Sequence, residues 1–297
     1  MPGITVTKIA GGIGAEIGGV DLRRELSDDT IAEIRRAWNE HVVIFFRDQD
    51  LSSAQYLAFA GRFGEPVEYP FISGIEGFPV ITPVVKLEHD RINFGGIWHS
   101  DTTYLEKPPM ATFLIAREVP PQGGDTMFAN QYLAYEALSE GLKQTLSTLK
   151  GVSCSAKADV SKSREDRMAN SPGAKANQVF EVAHPVVRTH PETGRKALYI
   201  NIGHTARFEG WTEEESAPLL NFLHQHQIKA EFTCRFQWRV GSLALGIYDA
   251  LTVSRREDVP RDDDPDRILL GWAARVAEMV ALVRLEGLEK RRPDQLS

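Results

Sequence analysis

The chain has 297 residues, of which 42% are hydrophobic and 25% charged, an ordinary globular composition with ample material for a core. A net charge of −7 and a pI near 5.7 argue against a nucleic-acid groove or an anionic membrane surface as the main partner, since both call for clustered cations, and leave a small-molecule ligand as the default. No apolar run has the length of a membrane span and residues 1–21 lack a basic-then-apolar leader, so a cytoplasmic protein is expected.

In chain order, residues 4–6 and 11–20 read as short strands joined by glycine turns. These glycines do not form a phosphate loop, because no helix follows closely. Ser27 has the place of an N-cap for a helix through Ile31, Ile34 and Trp38, and Val42-Val43-Ile44-Phe45-Phe46 reads as a buried strand. Ser52 caps a second helix over 54–63, ended by Gly64. Further strands are expected at 111–116, 126–129, 182–189, 197–200 and 232–238, with helical spacing over 213–226. Residues 157–178 turn polar and read as a solvated face or mobile loop, with a lid over a site as the alternative. Cys154 and Cys234 read as buried reduced thiols rather than a bridge. Strands interleaved with few helices suggest a single β-sandwich or barrel decorated by helices.

The most informative stretch is Trp98-His99-Ser100-Asp101. In an extended segment side chains at i and i+2 share a face, so His99 and Asp101 can address one metal ion while Ser100 points away. That is two thirds of the 2-His-1-carboxylate set that holds non-haem Fe(II) with open positions. Taken alone, an H-x-D is a weak signal, and a satisfied polar histidine is the commoner case.

The ordered surroundings change the odds. The chain resembles the taurine and 2,4-dichlorophenoxyacetate dioxygenase family, which uses Fe(II) and 2-oxoglutarate. The resemblance is carried by Gly14-Ala15-Glu16-Ile17-Gly18-Gly19-Val20-Asp21-Leu22, by Val43-Ile44-Phe45-Phe46-Arg47-Asp48-Gln49, by the motif at 98–101, and by Gly123-Gly124-Asp125-Thr126-Met127-Phe128-Ala129-Asn130. It continues through His184-Pro185-Val186-Val187-Arg188-Thr189-His190-Pro191 and runs in order from about residue 4 to 245. It implies one mainly β domain with flanking helices over 1–297, a double-stranded β-helix or jelly roll. It also implies His99 and Asp101 as iron ligands, Thr126 as a contact to a 2-oxoglutarate carboxylate, and dioxygen and a small organic acid, sulfonate or related compound as further substrates. Relatives are commonly dimers or tetramers, so a homo-oligomer fits the same resemblance.

Where relatives show an aromatic pocket residue, Asn201-Ile202-Gly203-His204-Thr205-Ala206-Arg207 places His204. A hydrogen-bonded pocket wall is the favoured reading for it, a substitute ligand the alternative.

After residue 245 the chain departs from the family. The last of its eight histidines is His226. If Tyr248-Asp249 stands for the family's W-D, then Arg255 occupies the slot of the third ligand, and a guanidinium has no lone pair for a metal. Residues 246–297 are therefore expected to be an atypical tail, with an amphipathic helix over 268–288 where the family has a strand; a frame change and genuine divergence both explain it. Arg267, Arg275 and Arg284 are candidates for the 2-oxoglutarate arginine, none in the family's motif. Three function classes remain open: an oxygenase with a degraded triad, a catalytically silent relative that binds a small acid or partner, and a hydrolase or isomerase using another divalent ion.

Overall fold

Two capped helices bracket the first buried strand and set the outer wall of the fold. Helix α1 (Asp28–His41) starts at Ser27, whose hydroxyl accepts from the Thr30 backbone N–H at 3.2 Å, with Asp28 and Asp29 placed where the helix dipole favours them. Its buried face is Ile31, Ile34, Ala37 and Trp38. Helix α2 (Ser53–Ala60) opens with a full capping box between Ser52 and Gln55. Between them lies β3 (Val43–Phe46), buried at every position, as its unbroken apolar run requires. The computed structural model describes residues 3–86, 97–157, 178–247, 251–255 and 276–284.

Strands β1 (Thr5–Lys8) and β2 (Ala15–Gly18) form an antiparallel hairpin, and β2 runs parallel to β3. After α2 come β4 (Glu65–Val67), β5 (Ile81–Lys86), β6 (Ala111–Glu118) and β7 (Thr126–Asn130). Helices α3 (Gln131–Glu136) and α4 (Glu140–Leu146) lead into β8 (Lys150–Cys154), β9 (Glu181–Pro185), β10 (Val187–Thr189), β11 (Lys196–Leu198) and β12 (Thr205–Phe208). Helix α5 (Glu213–His226) precedes β13 (Thr233–Phe236), β14 (Leu243–Ile247), β15 (Leu251–Arg255) and β16 (Val276–Arg284).

The large sheet has eight strands in the order β1-β2-β3-β14-β6-β16-β4, with β5 also paired to β16. A smaller sheet, β13-β7-β15, lies against it. The layers close through aromatic contacts: Phe45 of β3 stacks on Phe236 of β13 at 3.8 Å between ring centres and meets Phe128 of β7 edge-on at 5.4 Å. A second apolar cluster, including Leu146, Val186, Leu198, Leu220 and Leu223, seats α4 and α5 on the flank. The expected jelly roll is the fold observed.

The helices expected through Ile31, Ile34 and Trp38, over 54–63 and over 213–226 are present at 28–41, 53–60 and 213–226, the second ending three residues early, and each starts at a side-chain cap. Helices α3 and α4 were not anticipated, and the expected strand at 182–189 is two strands broken at Val186. The tail requires a correction. Within the stretch expected to be an amphipathic helix, Val276–Arg284 is a nine-residue strand, hydrogen-bonded to β6 on one side and to β5 and β4 on the other. Val276, Met279, Val280 and Val283 imitate helical spacing, but Leu282 and Val283 are buried between sheet neighbours, and two open strand edges offer more backbone pairing than a surface helix would gain. The polar run 158–177 lies outside the described residues. Both cysteines are free, and burial pushes the Cys234 thiol up to about 12. No described helix is long and apolar enough to cross a membrane.

Candidate active site

Between the two proposed ligands, the Ser100 hydroxyl donates to the Leu251 carbonyl at 2.6 Å and ties the loop after residue 97 to β15. His99 Nδ1 lies 2.7 Å from the Ile97 carbonyl, which can only accept, so Nδ1 carries a proton. His99 Nε2 then faces Asp101 Oδ1 at 3.2 Å. A bare imidazole lone pair and a carboxylate oxygen at that distance repel unless a positive centre is shared between them, which a proton or a metal ion supplies. Burial opposes charge on His99 more than any other single influence. The Asp101 hydrogen bond and charge, with the Ile97 carbonyl, outweigh it and raise the imidazole above its ordinary range.

This donor pair fits two positions on a divalent ion. Among the described residues no group of three His, Cys, Asp or Glu could hold a metal. Backbone register places Arg255 of β15 opposite Thr126 of β7.

Thr126 opens β7 after a turn in which Gly123 and Gly124 have φ of 75° and 74°, values that strain any residue with a Cβ. Asp125 is pinned to β13 by Arg235 Nε at 2.6 Å. The Trp238 indole N–H donates to Thr126 Oγ1 at 2.8 Å. Because the indole can only donate, it occupies a lone pair of the hydroxyl and leaves the Thr126 O–H to donate elsewhere. Asp101 and Thr126 line one cavity of about 60 Å³ with Thr112, Leu114, Phe128 and Leu251. Its lining combines the polar Ser100, Asp101, Thr112 and Thr126 with apolar side chains.

His204 is buried, and its ring meets Tyr104 edge-on at 4.8 Å, next to Phe71 and Phe180. The structure thus brings Asp101 and Thr126 to one cavity, sets His99 against Asp101, and places His204 in an aromatic cluster with Tyr104. Its chain neighbour Gly203 presses on the ligand loop: a Cβ there would stand 3.3 Å from the His99 Cβ. Sequence reading passed over Asn201 and Trp238. Trp238 had no signal beyond its place in a strand, whereas Asn201 stood in the quoted segment at 201–207 and was passed over in favour of the titratable His204.

The sequence model described as taurine catabolism dioxygenase TauD, TfdA family matches residues 5–251. The chain belongs to that family. It is 34% identical over 250 residues to an alkylsulfatase from Acinetobacter baylyi, covering 82% of the chain and 76% of the relative. It is likewise 34% identical over 250 residues to an alpha-ketoglutarate-dependent sulfate ester dioxygenase from Pseudomonas putida, covering 82% and 80%. Identity to an alpha-ketoglutarate-dependent 2,4-dichlorophenoxyacetate dioxygenase from Cupriavidus pinatubonensis is 32%, over 78% of the chain and 84% of the relative. The crystal structure of a taurine dioxygenase from Burkholderia xenovorans superposes with a TM-score of 0.76 at 33% identity, covering 95% of this chain and 90% of that one. The TauD/TfdA sequence match stops at Leu251, the first residue of β15, while the structural likeness extends over nearly the whole chain.

Proposed function

We propose that the chain is a 2-oxoglutarate-dependent oxygenase acting on a small organic acid, sulfonate or sulfate ester, with a metal seat that uses two protein donors. The observation that carries this reading is the convergence of His99 Nε2 and Asp101 Oδ1, 3.2 Å apart, with Asp101 also lining the cavity that holds Thr126. His99 and Asp101 are the residues that would hold Fe(II). Bound with the 2-oxo acid, the ion supplies the coupling of oxidative decarboxylation to oxidation of a substrate C–H bond. Thr126, with its oxygen fixed by Trp238, presents a proton donor to a carboxylate, which offsets part of the desolvation that a charged acid suffers on entry. Leu114, Phe128 and Leu251 give the cavity an apolar lining that would limit water around the bound acid. His204 and Tyr104 form a wall next to the ligand loop. The two relatives at 34% identity named for sulfate esters and alkyl sulfates favour an oxyanion-bearing substrate.

A silent, acid-binding relative is the second reading. It is favoured by the lack of a third donor among the described residues and by the position of Arg255 opposite Thr126. Anaerobic Fe(II) titration with 2-oxoglutarate, followed by succinate measurement after oxygen is admitted with alkyl sulfates, taurine or aryloxyacetates, separates the two. Stoichiometric iron and substrate-dependent succinate are the expected result; iron-independent binding of the acid without succinate would establish the silent reading.

A further inference from the structure

We propose that Asn201 is the positioning residue that fixes the distance between His99 and Asp101, a role resting on the reading that this pair holds a metal. Asn201 is 1% exposed, and both ends of its side-chain amide are hydrogen-bonded. Nδ2 donates to the Ser100 carbonyl, the peptide between the two ligands, and to Thr103 Oγ1 at 3.1 Å. Oδ1 accepts from the Gly203 backbone N–H at 2.9 Å. Two acceptors on one side and a donor on the other leave one orientation of the amide.

The residue gripped from both sides is Thr102. Its φ is 52°, a left-handed conformation that a β-branched residue adopts only under strain, and its side chain is buried. Such strain of about 1–3 kcal/mol persists only where the surroundings over-determine it. The Asn201 bonds to the Ser100 carbonyl, two residues before, and to Thr103, directly after, supply that restraint on either side of the strained residue. Asp101 is the residue preceding Thr102, so relaxation of this turn rotates the carboxylate away from His99 Nε2. From the other side Gly203 packs closely: a Cβ there would stand 3.3 Å from both the His99 Cβ and Asn201 Oδ1, so a side chain would have to displace one of them by a few tenths of an ångström. The short loop over 201–205 is itself held by the Thr205 hydroxyl, which accepts from the Asn201 backbone N–H at 2.8 Å.

The test is Co(II) binding, read by its visible absorption and by competition with a chelating dye, on the full chain at a temperature where each variant is folded by circular dichroism. Asn201→Ala is expected to weaken Co(II) by about 10–100-fold, the usual effect of losing a group that orients a ligand. Thr102→Gly in the Asn201→Ala background removes the strain the clamp opposed, and is expected to return part of the affinity. A purely structural asparagine would lower the melting temperature without moving the Co(II) affinity and would show no such rescue. Folded Asn201→Ala with wild-type affinity overturns the proposal. Should Asn201→Ala not fold, Thr103→Val removes one of the two acceptors; a several-fold loss supports the role and unchanged affinity defeats it. His99→Ala keeps the two ideas apart. If it binds Co(II) as wild type does, the metal reading falls and this inference with it; if it alone loses Co(II), only the inference falls.

Discussion

Strands β7 and β15 are hydrogen-bonded neighbours with opposite relations to the family pattern. β7 begins with Thr126, delivered by a two-glycine turn and oriented by Trp238, and every residue of its motif matches. β15 pairs with it residue for residue, yet at the position facing Thr126 it presents Arg255. A strand survives changes of side chain as long as its backbone finds partners and its inward positions stay apolar, as Leu251 does. A metal ligand survives no such change, because the lone pair belongs to one residue type. Architecture and chemistry therefore part company within one sheet.

The sharpest way to break this contrast is to remove the tail strands. If residues after 255 were an appendage, a chain ending there would fold. Because β16 sits inside the large sheet and buries Leu282 and Val283, that truncation is expected to leave β4, β5 and β6 without their shared partner and to abolish cooperative unfolding by heat or urea. A milder probe, Leu282→Ala, is expected to cost about 2–5 kcal/mol in urea denaturation. A tail change that left stability untouched would contradict the strand assignment.

The chemical half of the contrast is tested by Arg255→His. Structural zinc sites gain roughly 10–16 kcal/mol from four ligands, so a third imidazole is worth about 3 kcal/mol, or on the order of 100-fold in Fe(II) affinity. Anaerobic titration of wild type and variant reads this directly. No gain would show that the backbone register of Arg255 with Thr126 does not carry a side chain to the ion.

What was readable from sequence follows the same division. Helix α1 is legible from the Ser27 cap ahead of its apolar stripe, and α5 from helical spacing alone, its Thr212 capping box appearing only in the structure. His99 and Asp101 were legible because period-two spacing needs only local geometry. Asn201 was not, since its partners Ser100 and Thr103 lie about a hundred positions away in the chain and no local pattern announces such a bond. The tail departs from its expected helix because its closely spaced apolar residues satisfy helical and extended periodicities alike, and only the open edges of β6, β5 and β4 decide between them.

A smaller effect comes from His224 on α5, in the well-matched part of the chain. Burial, aided by the Lys157 charge, brings its imidazole from 6.5 down to about 4. The unfolded chain takes up this proton near pH 6.5 and the folded one only near pH 4, so the associated stability is complete above pH 6.5 and is lost as pH falls through about 4. Allowing for its partial exposure, the loss is about 2 kcal/mol. Urea denaturation at pH 7, 5.5 and 4 should show a drop that His224→Phe reduces, on top of the loss that the Glu192–Arg35 pair, with its lowered carboxyl, adds in both proteins. An unchanged pH profile in the variant would place the acid sensitivity elsewhere.

The smallest effect expected is at Ser27, where the contrast reaches its legible limit. Its hydroxyl satisfies one of the N–H groups that α1 cannot pair internally, and the site is exposed, so Ser27→Ala removes a cap without opening a cavity. The cost should be about 1 kcal/mol. It should appear in urea midpoint with an unchanged slope, because the unfolded chain gains no new surface. Co(II) affinity should not move, since α1 packs on the outer side of β3 while the ligand loop is tied to β15 and the loop over 201–205. A change in metal affinity on losing this cap would mean that the outer wall and the ligand loop are energetically coupled, and the separation of scaffold from chemistry drawn from β7 and β15 would then fail in the part of the molecule where sequence and structure agree best.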